Sequence, residues 1–319
     1  MARPKNPFPF LASTHKVWDK APHSGFTDLI RHKDVYYLAF REAEAHQFSN
    51  NGVIRILRSP DGLTFEPFLL VEEEGIDLRD PHFSVMPDGR LHLMMGGLKL
   101  DQEGKIIHTG TKVAIFNEAM ELEPLITPLE LNEWLWRIDW YQGVGYGVSY
   151  RYDHEEPYAV SLFKTLDGER FEKLRTFDIH EWPNETTTRF DKNGTMHLLV
   201  RRGIDWKTTA LLGESKPPYD TFKWFDTGFS LGGPDFLIMD DGKLWITARL
   251  IYGTPYGLFA LTALLLKSGD DLFRKIYFPS FGDTGYPGMS YQNGELLVSY
   301  YSTHHEKTAI YISKVLLGQ

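Results

Sequence analysis

A short hairpin pattern recurs along this chain at nearly even spacing. Each copy has an apolar stretch, a tight polar turn and a second, alternating apolar stretch, as in residues 82–94 around Asp88-Gly89. Asp-Gly and Asn-Gly favour two-residue hairpin turns, because both central residues of such a turn need positive φ. The six turns lie at Asp34 and at the glycines of positions 89, 143, 194, 242 and 294, which places them 48 to 55 residues apart.

This even spacing limits the fold, because four-stranded blades arranged around an axis have this period. We predict an all-β chain that forms a six-bladed β-propeller of four-stranded blades, with residues 1–319 as a single domain. His15–Trp18 is expected to lie beside a late strand at Thr308–Val315 and to close the ring. An aromatic fraction of 14%, with 28 Gly and 18 Pro, fits turn-rich β structure.

Two short segments indicate blade-stabilising turns. Ser59–Phe65 and Thr165–Phe171 resemble shortened Asp-boxes, in which an Asp accepts backbone N–H bonds and an aromatic side chain packs beneath it. We expect them on the outer rim, where they would stabilise blades without taking part in chemistry.

Composition and motifs exclude several classes of function. With 34 Lys+Arg against 43 Asp+Glu, the net charge of −9 argues against nucleic-acid or anionic-membrane partners. The absence of Cys excludes disulfides and thiolate sites. Without a phosphate-binding loop, a nucleophile elbow or a His pair at metal-ligand spacing, we expect no cofactor and no metal. We expect a cytoplasmic protein, or a periplasmic or secreted one if a leader has been removed; the oligomeric state stays open.

The polar residues of the blades are predicted to gather at one face. The inner two strands of a blade are antiparallel, so the start of the first and the end of the second emerge together. At these positions stand Asp28, Arg41, His46, Arg79, Asp80, Arg137, Glu185, Arg201, Asp235, Arg249, Asp283 and Tyr286. Either the arginines bind an anionic or hydroxyl-rich ligand, or they form structural ion pairs with the carboxylates. We expect the tryptophans at 134, 136 and 140 to pack within a blade, with one as a candidate sugar platform.

Seven motifs carry a resemblance that covers nearly the whole chain. They are Phe40–Ala43, Asp77–Pro81, Trp134–Arg137, Pro183–Thr187, Leu199–Arg202, Gly232–Phe236 and Gly282–Gly288. They resemble the sialidase (neuraminidase) superfamily of six-bladed propellers, and more closely its sialidase-like bacterial members. Sialidases use a Tyr nucleophile paired with a Glu, three arginines that hold the substrate carboxylate, and an Asp acid/base.

The resemblance implies roles for four residues. Tyr286 falls at the position of the nucleophile and Glu185 at that of its partner, while Arg201 and Arg249 look like the second and third arginines. A neutral Tyr suits this chemistry, because the substrate carboxylate beside the anomeric carbon would repel an anionic nucleophile. Two features depart from the family: Phe26-Thr27-Asp28 replaces the first arginine motif, and residues 43–52 contain no Asp.

We therefore predict an exo-acting glycosidase in carbohydrate metabolism that acts on an acidic or hydroxyl-rich glycan. Asp80 is the candidate general acid, with its pKa raised by Asp28 or by burial, and Glu44 or His46 are alternatives. The candidate substrate-binding residues are Arg41, Arg79, Arg137, Arg201, Arg249, His46, Asp28, Asp235 and Asp283. Two other functions stay open: a uronate lyase with Tyr286 or His46 as base, and a non-catalytic carbohydrate-binding propeller.

Overall fold

A computed structural model describes residues 9–47, 51–151, 158–203, 207–255, 257–268 and 271–317, and the regular elements there are β-strands. In chain order these are β1 (Phe10–Trp18), β2 (His23–His32), β3 (Val35–Ala43), β4 (Val53–Ser59), β5 (Glu66–Val71), β6 (Asp77–Val85), β7 (Leu91–Leu100), β8 (Ile106–Ile115), β9 (Glu133–Tyr141), β10 (Val144–Arg151), β11 (Val160–Thr165), β12 (Phe171–Thr176), β13 (Thr186–Phe190), β14 (Met196–Val200), β15 (Leu211–Ser215), β16 (Lys223–Asp226), β17 (Leu231–Ile238), β18 (Leu244–Thr254), β19 (Gly257–Ser268), β20 (Asp271–Tyr277), β21 (Thr284–Gln292), β22 (Glu295–Ser302) and β23 (Ala309–Leu316). The described residues include no helix that is long and apolar enough to cross a membrane.

The strands form the blades of a propeller, which confirms the predicted fold class. Within the described residues the blades are β2-β3-β4-β5, β6-β7-β8, β9 to β12, β13 to β16, β17 to β20, and β21-β22-β23-β1. A single parallel pair, Thr187 with Arg137, joins the third and fourth blades into one sheet. The last blade is completed by β1, which pairs with β23 from Phe10 opposite Leu316 to Trp18 opposite Ile310.

The second blade departs from the predicted four strands. Its outer edge is held only by two isolated bridges in the described residues, Val113 with Ile126 and Phe116 with Leu122. The segment after β8 contains Pro124 and Pro128. Because proline has no N–H to donate to a ladder, this segment is poorly suited to continuous pairing.

The hairpin turns lie where the sequence predicts them but have two geometries. Asp34, Gln142 and Asn293 have positive φ, as a two-residue turn requires. In residues 86–90, 191–195 and 239–243 only the glycine is left-handed, and its N–H donates to the carbonyl three residues earlier. That pattern is a three-residue loop, so the glycine marks the hairpin in both cases while the turn type differs.

The core lies between neighbouring blades. Ile54 and Ile56 of the first blade pack with Leu91 and Leu93 of the second, and all four are fully buried. On the outer rim, Asp61 Oδ1 accepts the N–H groups of Leu63 and Thr64 at 2.9 and 2.8 Å. Asp167 does the same in the second Asp-box-like turn. These contacts fix the turns between the third and fourth strands of the first and third blades.

Candidate active site at the propeller mouth

Bulges in the innermost strands position the side chains of the mouth. In four blades the ladder skips two residues, after Gly25, Arg79, Gly232 and Gly285. The first skipped residue is left-handed in each case: Phe26 (φ 58°), Asp80 (φ 48°), Gly233 (φ 53°) and Tyr286 (φ 47°).

Proline follows three of these left-handed residues, at positions 81, 234 and 287. Its missing N–H costs nothing where the ladder is interrupted. A left-handed conformation costs a non-glycine residue on the order of 1–3 kcal/mol and is concentrated at functional sites. In three of these four blades the left-handed residue, Phe26, Asp80 or Tyr286, places its side chain in the mouth of the propeller.

These bulges open onto a cavity of about 210 Å³. Glu185, Tyr286 and Asp80, the three predicted catalytic residues, all line it. The other lining residues are Phe26, His46, Gln47, Arg79, Leu98, Leu100, Ile106, Thr109, Trp134 and Tyr150. The lining therefore combines polar and charged groups with apolar and aromatic ones, as in sites that bind small organic ligands.

Glu185 and Tyr286 form a direct pair. The Tyr286 hydroxyl donates to Glu185 Oε1 at 2.6 Å, and Arg201 Nη1 donates to the same oxygen at 2.6 Å. The other oxygen, Oε2, accepts the N–H of Gly233 at 2.8 Å. A Cβ at Gly233 would lie 2.6 Å from Tyr286 Cγ, so only glycine fits beside the phenol ring.

The charges around this pair set its protonation. Burial raises the pKa of Glu185, but the charge and hydrogen bond of Arg201 outweigh it, and the net effect is a lowered pKa. Burial and the Glu185 charge raise the pKa of Tyr286. The pair is therefore a carboxylate and a neutral phenol, with the carboxylate placed to accept the phenol proton.

The pKa of Asp80 is shifted in the opposite direction from that of Glu185. Burial, opposed in part by Arg79 and reinforced by the Glu185 charge, raises the pKa of Asp80 to about 7. Within the described residues its buried Oδ1 has no hydrogen-bond partner. Burial, one of the two predicted causes, therefore raises the pKa of Asp80. The carboxylates that also raise it are Glu185 and Asp77 rather than the predicted Asp28.

Three predicted arginines lie close to these catalytic candidates, and of the three only Arg79 lines the cavity. Arg201 contacts both members of the pair, with its Nη1 also 3.2 Å from the Tyr286 hydroxyl. Arg249 places its guanidinium 5.3 Å from the centre of the Tyr286 ring, behind it. Arg79 lines the cavity, donates to the His46 carbonyl and lies 5.1 Å from the Phe26 ring centre.

Two further predicted arginines lie elsewhere. Arg41 is fully buried and makes a two-pronged ion pair with Asp77, Nε to Oδ1 at 2.7 Å and Nη2 to Oδ2 at 2.9 Å. Arg137 donates to Asp28 Oδ1 at 2.6 Å and lies 3.7 Å from Asp235 Oδ2.

Neither arginine lines the cavity, and neither do Asp28 and Asp235. For these four residues the structure supports the ion-pair alternative over the predicted substrate contact. A guanidinium with carboxylate partners at this depth cannot turn toward the cavity without leaving those charges unpaired.

His46 and Asp283 are brought together with a residue that the sequence prediction omitted. Asp283 Oδ2 lies 2.7 Å from His46 Nδ1 and 3.0 Å from His23 Nε2. The three residues stand far apart in the chain, at positions 23, 46 and 283, so no spacing motif could reveal the cluster. Trp134, expected to pack in a blade or to hold a sugar, lines the cavity stacked 6.1 Å from Tyr150.

Comparison with known proteins gives matches only at the level of structure. No protein-family model matches the chain, and no curated protein matches its sequence. A protein of unknown function from Dyadobacter fermentans superposes with a TM-score of 0.83 and 18% identity, over 98% of this chain and 100% of the other.

Two enzymes of known name superpose less closely. A Trypanosoma rangeli sialidase in complex with the inhibitor DANA has a TM-score of 0.68 and 10% identity, over 97% of this chain and 59% of the sialidase. A Penicillium chrysogenum alpha-L-arabinanase complexed with arabinobiose has a TM-score of 0.71 and 12% identity, over 97% and 98%. The chain thus shares the propeller fold of glycoside hydrolases that include a sialidase and an arabinanase.

Proposed function

We propose that this protein is an exo-acting glycoside hydrolase in which Tyr286 is the nucleophile, Glu185 accepts its proton and Asp80 is the general acid. The observation that carries the proposal is the 2.6 Å hydrogen bond from the Tyr286 hydroxyl to Glu185, at the wall of a cavity that Asp80 also lines. The glycosidases that share the fold support it by analogy.

The first step uses both carboxyl groups in opposite roles. The Tyr286 oxygen attacks the anomeric carbon while its proton passes to Glu185 Oε1, and the glycosidic bond breaks as Asp80 protonates the leaving oxygen. In the second step Asp80, now ionised, accepts a proton from water as that water attacks the anomeric carbon. The glycosyl–tyrosine bond breaks and the phenol regains its proton from Glu185.

The protonation states that this mechanism needs agree with the environments of the two acids. Glu185 must start ionised, and its lowered pKa provides that. Asp80 must start protonated, and a pKa of about 7 leaves much of it neutral near neutral pH. Two carboxyl groups whose surroundings move their pKa values apart are the usual arrangement for acid and base roles in one site.

The cavity favours one terminal sugar as the substrate unit. At about 210 Å³ it is smaller than the roughly 300–1,000 Å³ of drug-sized pockets. Arg79 and His46 in its lining can bind a carboxylate or hydroxyl groups, while Trp134 and Tyr150 offer an aromatic surface to the C–H face of a sugar ring. An acidic or hydroxyl-rich glycan, cleaved from its end, fits both kinds of lining residue.

The test is turnover of aryl glycosides and uronate-containing oligosaccharides by the purified protein and by Glu185→Gln. We expect phenol release from at least one glycoside, and a loss of roughly 10²–10⁴-fold in kcat for the variant, because the phenol loses its proton acceptor. Glu181→Gln is the matched control, since Glu181 stands four residues earlier with its side chain 58% exposed.

Three results would contradict the proposal. Full activity of a folded Glu185→Gln variant would remove Glu185 from the mechanism. An unsaturated product absorbing in the ultraviolet would indicate a uronate lyase. Binding on a glycan array with no product from any substrate would indicate a non-catalytic propeller.

A further inference from the structure

We propose that His23, His46 and Asp283 form a binding site for one divalent transition-metal ion at the wall of the candidate active-site cavity. Their ligand atoms all lie within 4.8 Å of one another. Asp283 Oδ2 is the closest common atom, 2.7 Å from His46 Nδ1 and 3.0 Å from His23 Nε2. This inference does not depend on the proposed glycosidase activity.

The three groups lie close to the spacing that a shared ion would impose, with His46 Nδ1 and Asp283 Oδ2, at 2.7 Å, somewhat closer together than two ligands of one ion. Metal–nitrogen and metal–oxygen bonds of about 2.1 Å place neighbouring ligand atoms about 3.0 Å apart in an octahedral site and about 3.4 Å apart in a tetrahedral one. The two histidine ring centres are 5.4 Å apart. An ion about 2.1 Å from each nitrogen would lie about 3.2 Å from each ring centre, so that separation corresponds to an angle near 115° at the metal.

The surroundings hold the ligands in place. The Tyr301 hydroxyl donates to Asp283 Oδ1 at 3.0 Å and leaves Oδ2 for the site, as partners of metal-bound carboxylates do. The His46 ring packs edge-on against Phe26 with centres 5.0 Å apart. The His23 side chain is 7% exposed at the start of β2, so its position is set by the blade.

One side of the cluster is open. The side chains of His46 and Asp283 are 34% and 30% exposed, and His46 lines the cavity. Three protein ligands with an open side leave room for water or a substrate oxygen, which is the arrangement of reactive rather than purely structural metal sites. Of the three ligands only His46 lines the cavity, so a metal bound here would lie at its edge.

The ligand types select the class of ion. Two imidazoles and one carboxylate favour Zn²⁺, Fe²⁺ or Mn²⁺ over Mg²⁺ and Ca²⁺, which prefer oxygen ligands alone. Two neutral imidazoles that donate N–H bonds to one carboxylate would place the same atoms at similar distances. Binding measurements separate these two interpretations.

The experiment is calorimetric titration of Zn²⁺, with Ca²⁺ as a comparison, into the full chain after removal of bound metal with a chelator. Co²⁺ absorption gives an independent reading of the ligand geometry. We expect one Zn²⁺ per chain, little affinity for Ca²⁺, and intense Co²⁺ bands typical of four or five ligands. The proposal fails if no Zn²⁺ binds or if binding is unchanged in the variants below.

His46→Ala and Asp283→Asn should each weaken Zn²⁺ binding by more than roughly 100-fold, and Tyr301→Phe by roughly 10–100-fold, as loss of an outer partner does. Near-ultraviolet circular dichroism of the metal-free variants checks their folding. Because His46 is partly exposed, we expect His46→Ala to disturb the fold less than Asp283→Asn. His180→Ala is the matched control, because His180 lies 3.6 Å from Asp178 with both side chains nearly fully exposed. Loss of Zn²⁺ binding in His180→Ala would show that the calorimetric signal comes from surface histidines, and this would refute the proposed site.

Discussion

Replacing Asp80 by Asn should stabilise this protein at alkaline pH while removing its activity. The Asp80 side chain is buried, and burial raises its pKa to about 7 from an ordinary 3.8. The folded chain therefore holds a proton that the unfolded chain releases near pH 4. Stability contributed by this proton is present at low pH and is lost as the pH rises from about 4 to about 7.

The size of the effect follows from the two pKa values. One pKa unit corresponds to about 1.4 kcal/mol, so the total loss is on the order of 4 kcal/mol. Between pH 5 and pH 8 the loss amounts to roughly 2–3 kcal/mol. Asparagine has nearly the same shape and no charge to bury, so Asp80→Asn should not show this loss.

The assay is urea unfolding of both proteins at several pH values from 5 to 8. We expect the free energy of unfolding of Asp80→Asn to rise above that of the wild type progressively with pH. Asp178→Asn, which removes a carboxylate whose side chain is 94% exposed, should follow the wild type at every pH. The wild-type kcat/KM should fall as the pH rises through about 7, because a general acid must carry its proton.

Two results would refute this reasoning. If wild type and Asp80→Asn show the same pH dependence of stability, the buried carboxyl group is not protonated in the folded chain near neutral pH. If Asp80→Asn retains full hydrolysis, the proton reaches the leaving group from another residue, and His46 at the cavity wall is the next candidate.

Two further predictions separately test the Tyr286–Glu185 pair and the buried ion pair of Arg41 with Asp77. Tyr286→Phe should keep the fold and lose on the order of 10³-fold in kcat, because the phenol oxygen is the proposed nucleophile; rapid hydrolysis by this variant, measured with the same aryl glycoside, would assign the attack to Glu185 itself. Arg41→Met should lower the free energy of unfolding by roughly 3–5 kcal/mol by leaving the Asp77 carboxylate buried without its partner. In the same urea assay, Arg58→Met, which breaks an exposed pair with Glu66, should cost less than about 1 kcal/mol, and equal losses would contradict the structural assignment of Arg41.

The comparison of sequence and structure at the mouth explains which parts could be predicted. Glu185 and Tyr286 were predicted on one face because each stands at the start of an inner strand, and the resemblance implied that they form a pair; both line the cavity. Arg41, near the end of β3, and Arg137, within β9, were predicted on the same face, yet they pair with Asp77 and Asp28 in the interior. Arg79, an arginine predicted on that same face, lines the cavity, so the sequence alone could not separate a buried ion pair from a cavity residue.

The sequence by itself determined the all-β propeller and the number of its hairpins, because strand alternation and turn φ depend on residues adjacent in the chain. It also determined which face gathers the acids and arginines. The tertiary structure decided which of those groups face solvent, that Phe26, Asp80 and Tyr286 sit on left-handed bulges, and that His23 joins His46 and Asp283. These outcomes depend on contacts between blades far apart in the chain, where burial and the choice of ionic partner are set by the closed ring.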